Sequence, residues 1–338
     1  MRIGIDIPDS LPLADQVGLI GWAEEHGFAD AWVGDTGTRD PFIVLGCAAQ
    51  RTRTIRLGTA VAPLGPRSPV SLAVAALCVH ELAPGRVALG VGVSSKVIVE
   101  QWHGGSYAHP LSRARDCVRL IRQICAGDKT DTASGHARSR GFQVPARQRA
   151  SLPVQLAALG PRMLELAGEI ADGVWLNFVP LQAVPKVLDR IRAGAGRRER
   201  PGLPEILLAV PCAVTPDPGS ARDRFRRSLY FYMTSPSYRA ALAWYGFGEE
   251  AAAAEAAWAR RDREGVIACV SDRLADQIGV FGSAARCRER FGQYAAAGIS
   301  TLSVCAEGGD PYQTFAAFQP AAAAPGPSPA VGPAGGRR

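Results

Sequence analysis

Short β-branched or apolar runs alternate with segments of helical spacing along almost the whole chain, and this alternation constrains the fold more than any other feature. "RIGIDIP" predicts a first strand, followed by a helix through Gln16 to His26. "DAWVGD" predicts a second strand with "PFIVLGCAAQ" as its helix. "IRLGTAV" is the third strand, and Ser68-Pro69 opens the long apolar helix "SPVSLAVAALCVHEL" as a cap and first-turn pair. "RVALGVG" is the fourth strand, and the amphipathic "PLSRARDCVRLIRQICAG" closes on Gly127. "LPVQLAAL", "DGVWLNF" and "EILLAVPCAV" follow as strands, with helices opened by Gly160-Pro161 and in "AVPKVLDRIRAG". A helical stretch from Ala221 to Arg263, the helix "SAARCRERFGQYAAAG" and the strand "ISTLSVCA" complete the series. Eight strands each paired with a helix predict a single (β/α)8 TIM barrel with insertions after strands 4 and 7, because a doubly wound sheet usually stops at five to seven strands.

A length of 338 residues and a hydrophobic content of 47% suit one large barrel core. The barrel domain is expected over residues 1–318, and the Ala/Pro/Gly-rich stretch over 319–338 is expected to be disordered for want of groups to bury. No apolar run approaches the roughly 18 residues of a membrane span, and "MRIGIDIPDS" lacks the basic start and apolar middle of a signal peptide. The expected location is therefore the cytoplasm. The eight cysteines show no CxxC and no paired Cys/His spacing, which argues against a structural metal and a disulfide framework and predicts buried small hydrophobes. A net charge of +7 and a pI near 9.2 reside largely in arginine clusters at 138–149, 197–200 and 222–227. Without aromatic interleaving or a helix-turn-helix pattern these do not describe a nucleic-acid surface. They suit a basic mouth for an anionic small molecule.

Barrel chemistry belongs at the carboxyl ends of the strands. Asp6, Gly34-Asp35-Thr36, Thr59-Ala60-Val61, Gly92-Val93-Ser94-Ser95, Ala158-Leu159-Gly160 and Asn177 stand there, with few strong acids or bases and none of the histidines. Such a mouth suits a flat ring read by backbone groups, with hydride chemistry carried by the cofactor. A dinucleotide reading of Gly90 and Gly92 is weak, since no third glycine follows and the pair lies deep in the chain. The ordinary alternative is that both glycines relieve crowding between strands.

"LGTAVAPLGPRSP", "PGRVALGVGVSSKVIVEQWHG" and "LPVQLAALGPRMLELAGEIADGVWLN" together resemble the luciferase-like monooxygenase superfamily, and within it the coenzyme F420-dependent branch that includes methylenetetrahydromethanopterin reductase. The resemblance runs from Arg2 to about Phe318 and implies a TIM barrel. It further implies a non-proline cis peptide at Ala60-Val61 beneath the ring, Asp35 and Thr59 near it, and Gly92, Val93 and Ser94 beside it. It places the cofactor phosphate on Ala158-Leu159-Gly160, where a helix N-terminus independently favours an anion, and adds Asn177 to the cofactor residues.

The chain departs from the sugar-phosphate and alcohol dehydrogenases of that branch, which use a histidine and a glutamate where Thr36 and Ser95 stand here. Alcohol oxidation is therefore disfavoured, and reduction of a C=C or C=N bond of a small organic substrate is expected. Asp35, Glu100 and His103 are the candidate proton donors, with Asp35 and His103 taken as catalytic. Each also has an ordinary reading: Asp35 as a cap for the helix near Pro41, Glu100 as a solvated helix position, His103 packed beside Trp102. Trp32 is assigned to the core, Trp175 and Tyr107 to core or pocket wall. The alternatives are an FMN-dependent two-component monooxygenase served by a separate reductase, and a barrel that binds flavin without turnover. A homodimer acting in secondary metabolism is expected, with a flavin or F420 reductase as a further partner. The segments 97–110 and 221–263, expected to line the substrate pocket, carry no decodable motif.

Overall fold

The computed structural model describes residues 1–133 and 135–319. The chain forms strands β1 (Arg2–Ile7), β2 (Asp30–Val33), β3 (Arg56–Thr59), β4 (Val87–Gly92), β5 (Val154–Ala157), β6 (Gly173–Asn177), β7 (Glu205–Val214) and β8 (Thr301–Ala306). Each pairs in parallel with the next, and β8 pairs with both β7 and β1, so the sheet closes. The expected (β/α)8 barrel is what forms. Helices α1 (Leu13–Glu25), α2 (Pro41–Arg51), α3 (Pro69–Leu82), α4 (Pro110–Ala126), α5 (Pro161–Ile170) and α6 (Val184–Ala195) connect the strands in turn. Their starts follow local chemistry. Ser68 accepts from the Ser71 amide ahead of Pro69, and Gly127 ends α4 at a φ of 81°.

Between β7 and β8 lie α7 (Pro218–Ser228), α8 (Tyr230–Thr234), α9 (Pro236–Tyr245), α10 (Gly248–Ala259), α11 (Arg263–Ala268), α12 (Asp272–Ile278) and α13 (Ala284–Ala296). A three-residue strand, Val280–Gly282, pairs with Cys212–Val214 of β7, past the stretch Glu205–Ala209 that faces β6. It was not expected from sequence, being too short to show a period. A final helix, α14 (Pro311–Ala316), follows β8. The expected disordered tail falls almost wholly on 320–338, outside the described residues. Among the described residues no helix is long and apolar enough to cross a membrane.

The barrel interior is filled by Trp32, Ala60, Ala88, Trp175, Leu207 and Ala209. The two indole rings meet edge to face with centroids 4.8 Å apart. Gly58 makes room for them: a β-carbon there would lie 2.1 Å from Cζ3 of Trp32. The amino end of the barrel is shut by charge. Arg56 Nε donates to Asp30 at 2.7 Å and its two Nη atoms reach Glu205 at 2.8 and 2.7 Å, while the guanidinium sits 4.9 Å over Trp32. Asp30 is fully buried and shared between Arg56 and Arg2, whose Nη2 also donates to its Oδ1, so only the loss of both would leave an uncompensated charge.

Two expectations change here. All eight cysteines are free, but Cys47 on α2 and Cys78 on α3 are exposed rather than buried. Further, no cis peptide occurs among the described residues. At Ala60-Val61 the chain instead carries one residue more than its partner, since Gly58 pairs with Ala88 and Ala62 with Val91. This bulge turns the chain with trans bonds throughout. The Ala60 amide donates to Val33 O at 2.9 Å, and Thr59 Oγ1 both donates to Gly90 O and accepts from Gly90 N.

Candidate active site

A cavity of about 1190 Å3 opens at the carboxyl ends of the strands. Asp35, Ala60, Val61, Gly92, Val93, Ser94, Ala158, Leu159, Gly160 and Asn177 all line it, so residues from five strand ends meet as expected. Thr59 does not. It is buried behind the wall, where its hydroxyl clamps β3 to β4.

The two glycines of β4 are both crowded. A β-carbon on Gly90 would stand 2.1 Å from Thr59 O; on Gly92 it would meet Val61 Cγ1 at 2.6 Å and Ala157 Cβ at 3.1 Å. Gly90 therefore serves packing alone. Gly92 serves packing and the pocket together, because Val61 and Ala157 are themselves cavity wall. Past it, Ser94 holds a φ of 61°, and Phe178 and His109, also in the wall, hold 53° each. Three non-glycine residues in the left-handed region around one cavity mark a site whose surroundings impose its backbone.

Asp35 is not a free acid. Its Oδ2 accepts from Arg67 Nε at 2.6 Å, and Arg67 Nη2 reaches Asp40 at 2.9 Å. Asp40, not Asp35, caps α2 by accepting from the Phe42 amide at 2.9 Å. His103 is exposed on the turn after Val97–Trp102 and does not reach the cavity. Glu100 also lies outside it, accepting from the Tyr107 amide at 3.2 Å. Thr36 and Ser95 do line the cavity, where neither can act as a strong base.

The acids the cavity does hold, besides Asp35, are Asp6, Asp9 and Glu307. Burial pushes the Asp6 carboxyl up to about 7; Asp9 adds to the rise, and a hydrogen bond with Cys305 opposes it. Burial likewise lifts Glu307 to about 7, opposed by the Ser228 hydroxyl 3.4 Å away. Two carboxyl groups, Asp6 near the end of β1 and Glu307 just past the end of the adjacent β8, are thus both raised to about 7 beside one cavity. The signal was legible: an acid at the carboxyl end of a barrel strand. Only burial shows that these acids differ from others. Tyr232 and Tyr238 complete this side. Phe178 meets both, at 4.8 and 5.8 Å between centroids, and burial holds Tyr238 up at about 12 against a hydrogen bond with Asn177.

Across the cavity, α5 begins at Gly160-Pro161 with no side-chain cap, and Arg162 lines the wall beside it. The expected basic mouth is absent. Arg162 is the one arginine of the lining, against four acids. Much of the clustered arginine charge is spent on neighbouring helices, Arg197 on Glu169 and Glu165, and Arg222 on Asp276.

A family model described as luciferase-like monooxygenase matches residues 1–301. The chain belongs to this family. This luciferase-like protein is accordingly an oxidoreductase. It is 30% identical over 255 residues, 69% of its length and 72% of the relative's, to a Mycobacterium tuberculosis protein bearing the provisional name of a coenzyme F420-dependent oxidoreductase. It is 29% identical to the 5,10-methylenetetrahydromethanopterin reductase of Archaeoglobus fulgidus, over 89% of this chain and 92% of that one. In structure it is similar to the coenzyme F420-dependent tetrahydromethanopterin reductase of Methanopyrus kandleri, with a TM-score of 0.76 at 22% identity, covering 90% of this chain and 92% of the other. That likeness agrees with the barrel described above.

Proposed function

We propose that this luciferase-like protein uses reduced coenzyme F420 to reduce a C=C or C=N bond of a small organic substrate, with Asp6 and Glu307 as the source of the proton. One observation carries the reading: two carboxyl groups near a pKa of 7 share a cavity with an uncapped helix N-terminus. The names of the M. tuberculosis and A. fulgidus relatives favour F420 over FMN.

The residues present fit such a cofactor. The start of α5, with Ala158, Leu159, Gly160 and Arg162, would hold a phosphate, since amides at a helix start and a guanidinium both favour an anion. Ala60, Val61, Gly92 and Val93 offer a wall of small or β-branched residues for a flat ring. When bound, the reduced deazaflavin supplies a hydride. The chain's part is to supply the matching proton. A carboxyl near 7 is protonated for a large fraction of the time at neutral pH, so Asp6 or Glu307 can give a proton and take another back from water. Tyr232 and Tyr238 stay protonated and orient the substrate. Arg67 holds Asp35 in place at the rim.

The protein is further proposed to form a homodimer. Ile43 and Leu82 are 57% and 46% exposed on the neighbouring helices α2 and α3, beside exposed Cys47 and Cys78.

The test is to mix the protein with oxidised F420 or with FMN, remove free cofactor by gel filtration, and ask which visible absorbance band travels with it. Retention of F420, and anaerobic oxidation of its reduced form by an imine or enone acceptor, is expected. Retention of FMN alone would move the reading to a monooxygenase fed by a reductase. Retention of neither would overturn it.

A further inference from the structure

A second cavity, of about 550 Å3, opens at the amino end of the barrel, far from the chemistry. It lies between the last turn of α4, the segment entering β5, and the loop before β7. Arg122, Arg149 and Arg200 line it over an apolar floor that includes Ala126 and Leu152, and Asp128 is its one acid. Asp172, immediately before β6, sits behind and is saturated. Its Oδ2 accepts from Arg122 Nη2 at 2.8 Å and the Val154 amide at 2.9 Å, and its Oδ1 from Arg200 Nη1 at 2.7 Å.

The donors outnumber what Asp172 can accept. Arg122 Nε and Arg198 Nη1 are buried without any hydrogen-bond partner. Arg149 makes no ion pair among the described residues, and its side chain lies over Gly127, where a β-carbon would stand 2.2 Å from its Nε. The Arg198 guanidinium is pushed below its ordinary value by burial, and by Arg122 and Arg200 against the pull of Asp172. Three guanidinium groups thus line the cavity, and a fourth, Arg198, lies outside the lining near Asp172, against two carboxylates in all and with buried donors left over. Leaving such donors unpaired is costly, and an acceptor supplied from outside removes that cost.

We propose that this cavity is a binding site for a small dianion, a phosphate monoester or a dicarboxylate, whose oxygens take the donors that Asp172 leaves over. Two negative charges match the excess, and the volume suits a small metabolite. In a barrel this end carries stability rather than chemistry, so the occupant is an effector and not the substrate.

The experiment uses the full chain, with inorganic phosphate, glycerol 3-phosphate and succinate as probes and sodium chloride at matched ionic strength as reference. At least one probe should raise the melting temperature saturably, and calorimetry of the phosphate and succinate arms tells the two chemistries apart. Arg149→Gln, which breaks no ion pair, should weaken that binding about tenfold or more. Arg162→Gln, at the opposite end of the barrel, should leave it unchanged. A rise no greater than that from sodium chloride overturns the proposal. So does a rise that Arg149→Gln leaves intact, or one that Arg162→Gln abolishes.

Discussion

Asp6→Asn should make the protein more stable and less active at once. The carboxyl sits at about 7 against an ordinary 3.8, a rise of about 3 units, worth about 4 kcal/mol at about 1.36 kcal/mol per unit. The sign follows from which state ionises first. Below about pH 4 the folded and unfolded chains both hold the proton, and the group costs nothing. As pH rises the unfolded chain ionises first, so the folded state loses stability until the loss is complete above about pH 7. Asparagine is neutral throughout, so its advantage is absent near pH 4 and full above 7. Its amide still carries a desolvation cost, which makes 4 kcal/mol a ceiling and about 2 kcal/mol the expected gain. At an unfolding entropy of about 2.1 cal/mol/K per residue, that is about 3 °C for a chain of this size. Turnover should fall about 100- to 10,000-fold, the range for loss of a general acid. Calorimetric melts from about pH 5 to about pH 8, with turnover measured on the same preparations, provide the check. A variant whose melting temperature tracks the parent at every pH would refute the buried carboxyl. One that is stabilised yet equally active would take Asp6 out of proton transfer and leave Glu307.

Three further outcomes are expected. Gly92→Ala drives a β-carbon to within 2.6 Å of Val61 Cγ1 and so presses Val61 toward the cavity; cofactor affinity, measured on the folded fraction, should drop while stability falls by about 1–3 kcal/mol. Unchanged affinity would make Gly92 a packing glycine like Gly90. Gly58→Ala places its β-carbon 2.1 Å from Trp32 in the barrel interior and should cost at least about 1–3 kcal/mol in a urea melt. Ile43→Glu with Leu82→Glu should convert a dimer to a monomer by light scattering without unfolding it, since both side chains face solvent in the single chain.

The strands and helices were legible because their causes are local. Ser68 caps α3 through the amide of Ser71, three residues on, and Gly127 ends α4 through its own backbone freedom. An apolar run such as "RVALGVG" is already a buried strand in outline. Eight repeats of that local grammar allowed little but a barrel, and the barrel in turn named the end where Asp35, Ala60, Gly92, Gly160 and Asn177 would meet. What was hidden depends on partners remote in the chain. Asp35 and Asp40 look alike in sequence, but Asp40 reaches the free amides of α2 and Asp35 meets Arg67. The bulge at Ala60-Val61 is a miscount between two strands and exists in neither alone. Clustered arginines read as a basic mouth until the helices carrying them brought glutamates and aspartates alongside. Asp6 and Glu307 stand near opposite ends of the described chain as ordinary acids. Closing β8 against β1 sets both beside one cavity and strips away their water, because a pKa answers to what surrounds a group in space and not to its neighbours along the chain.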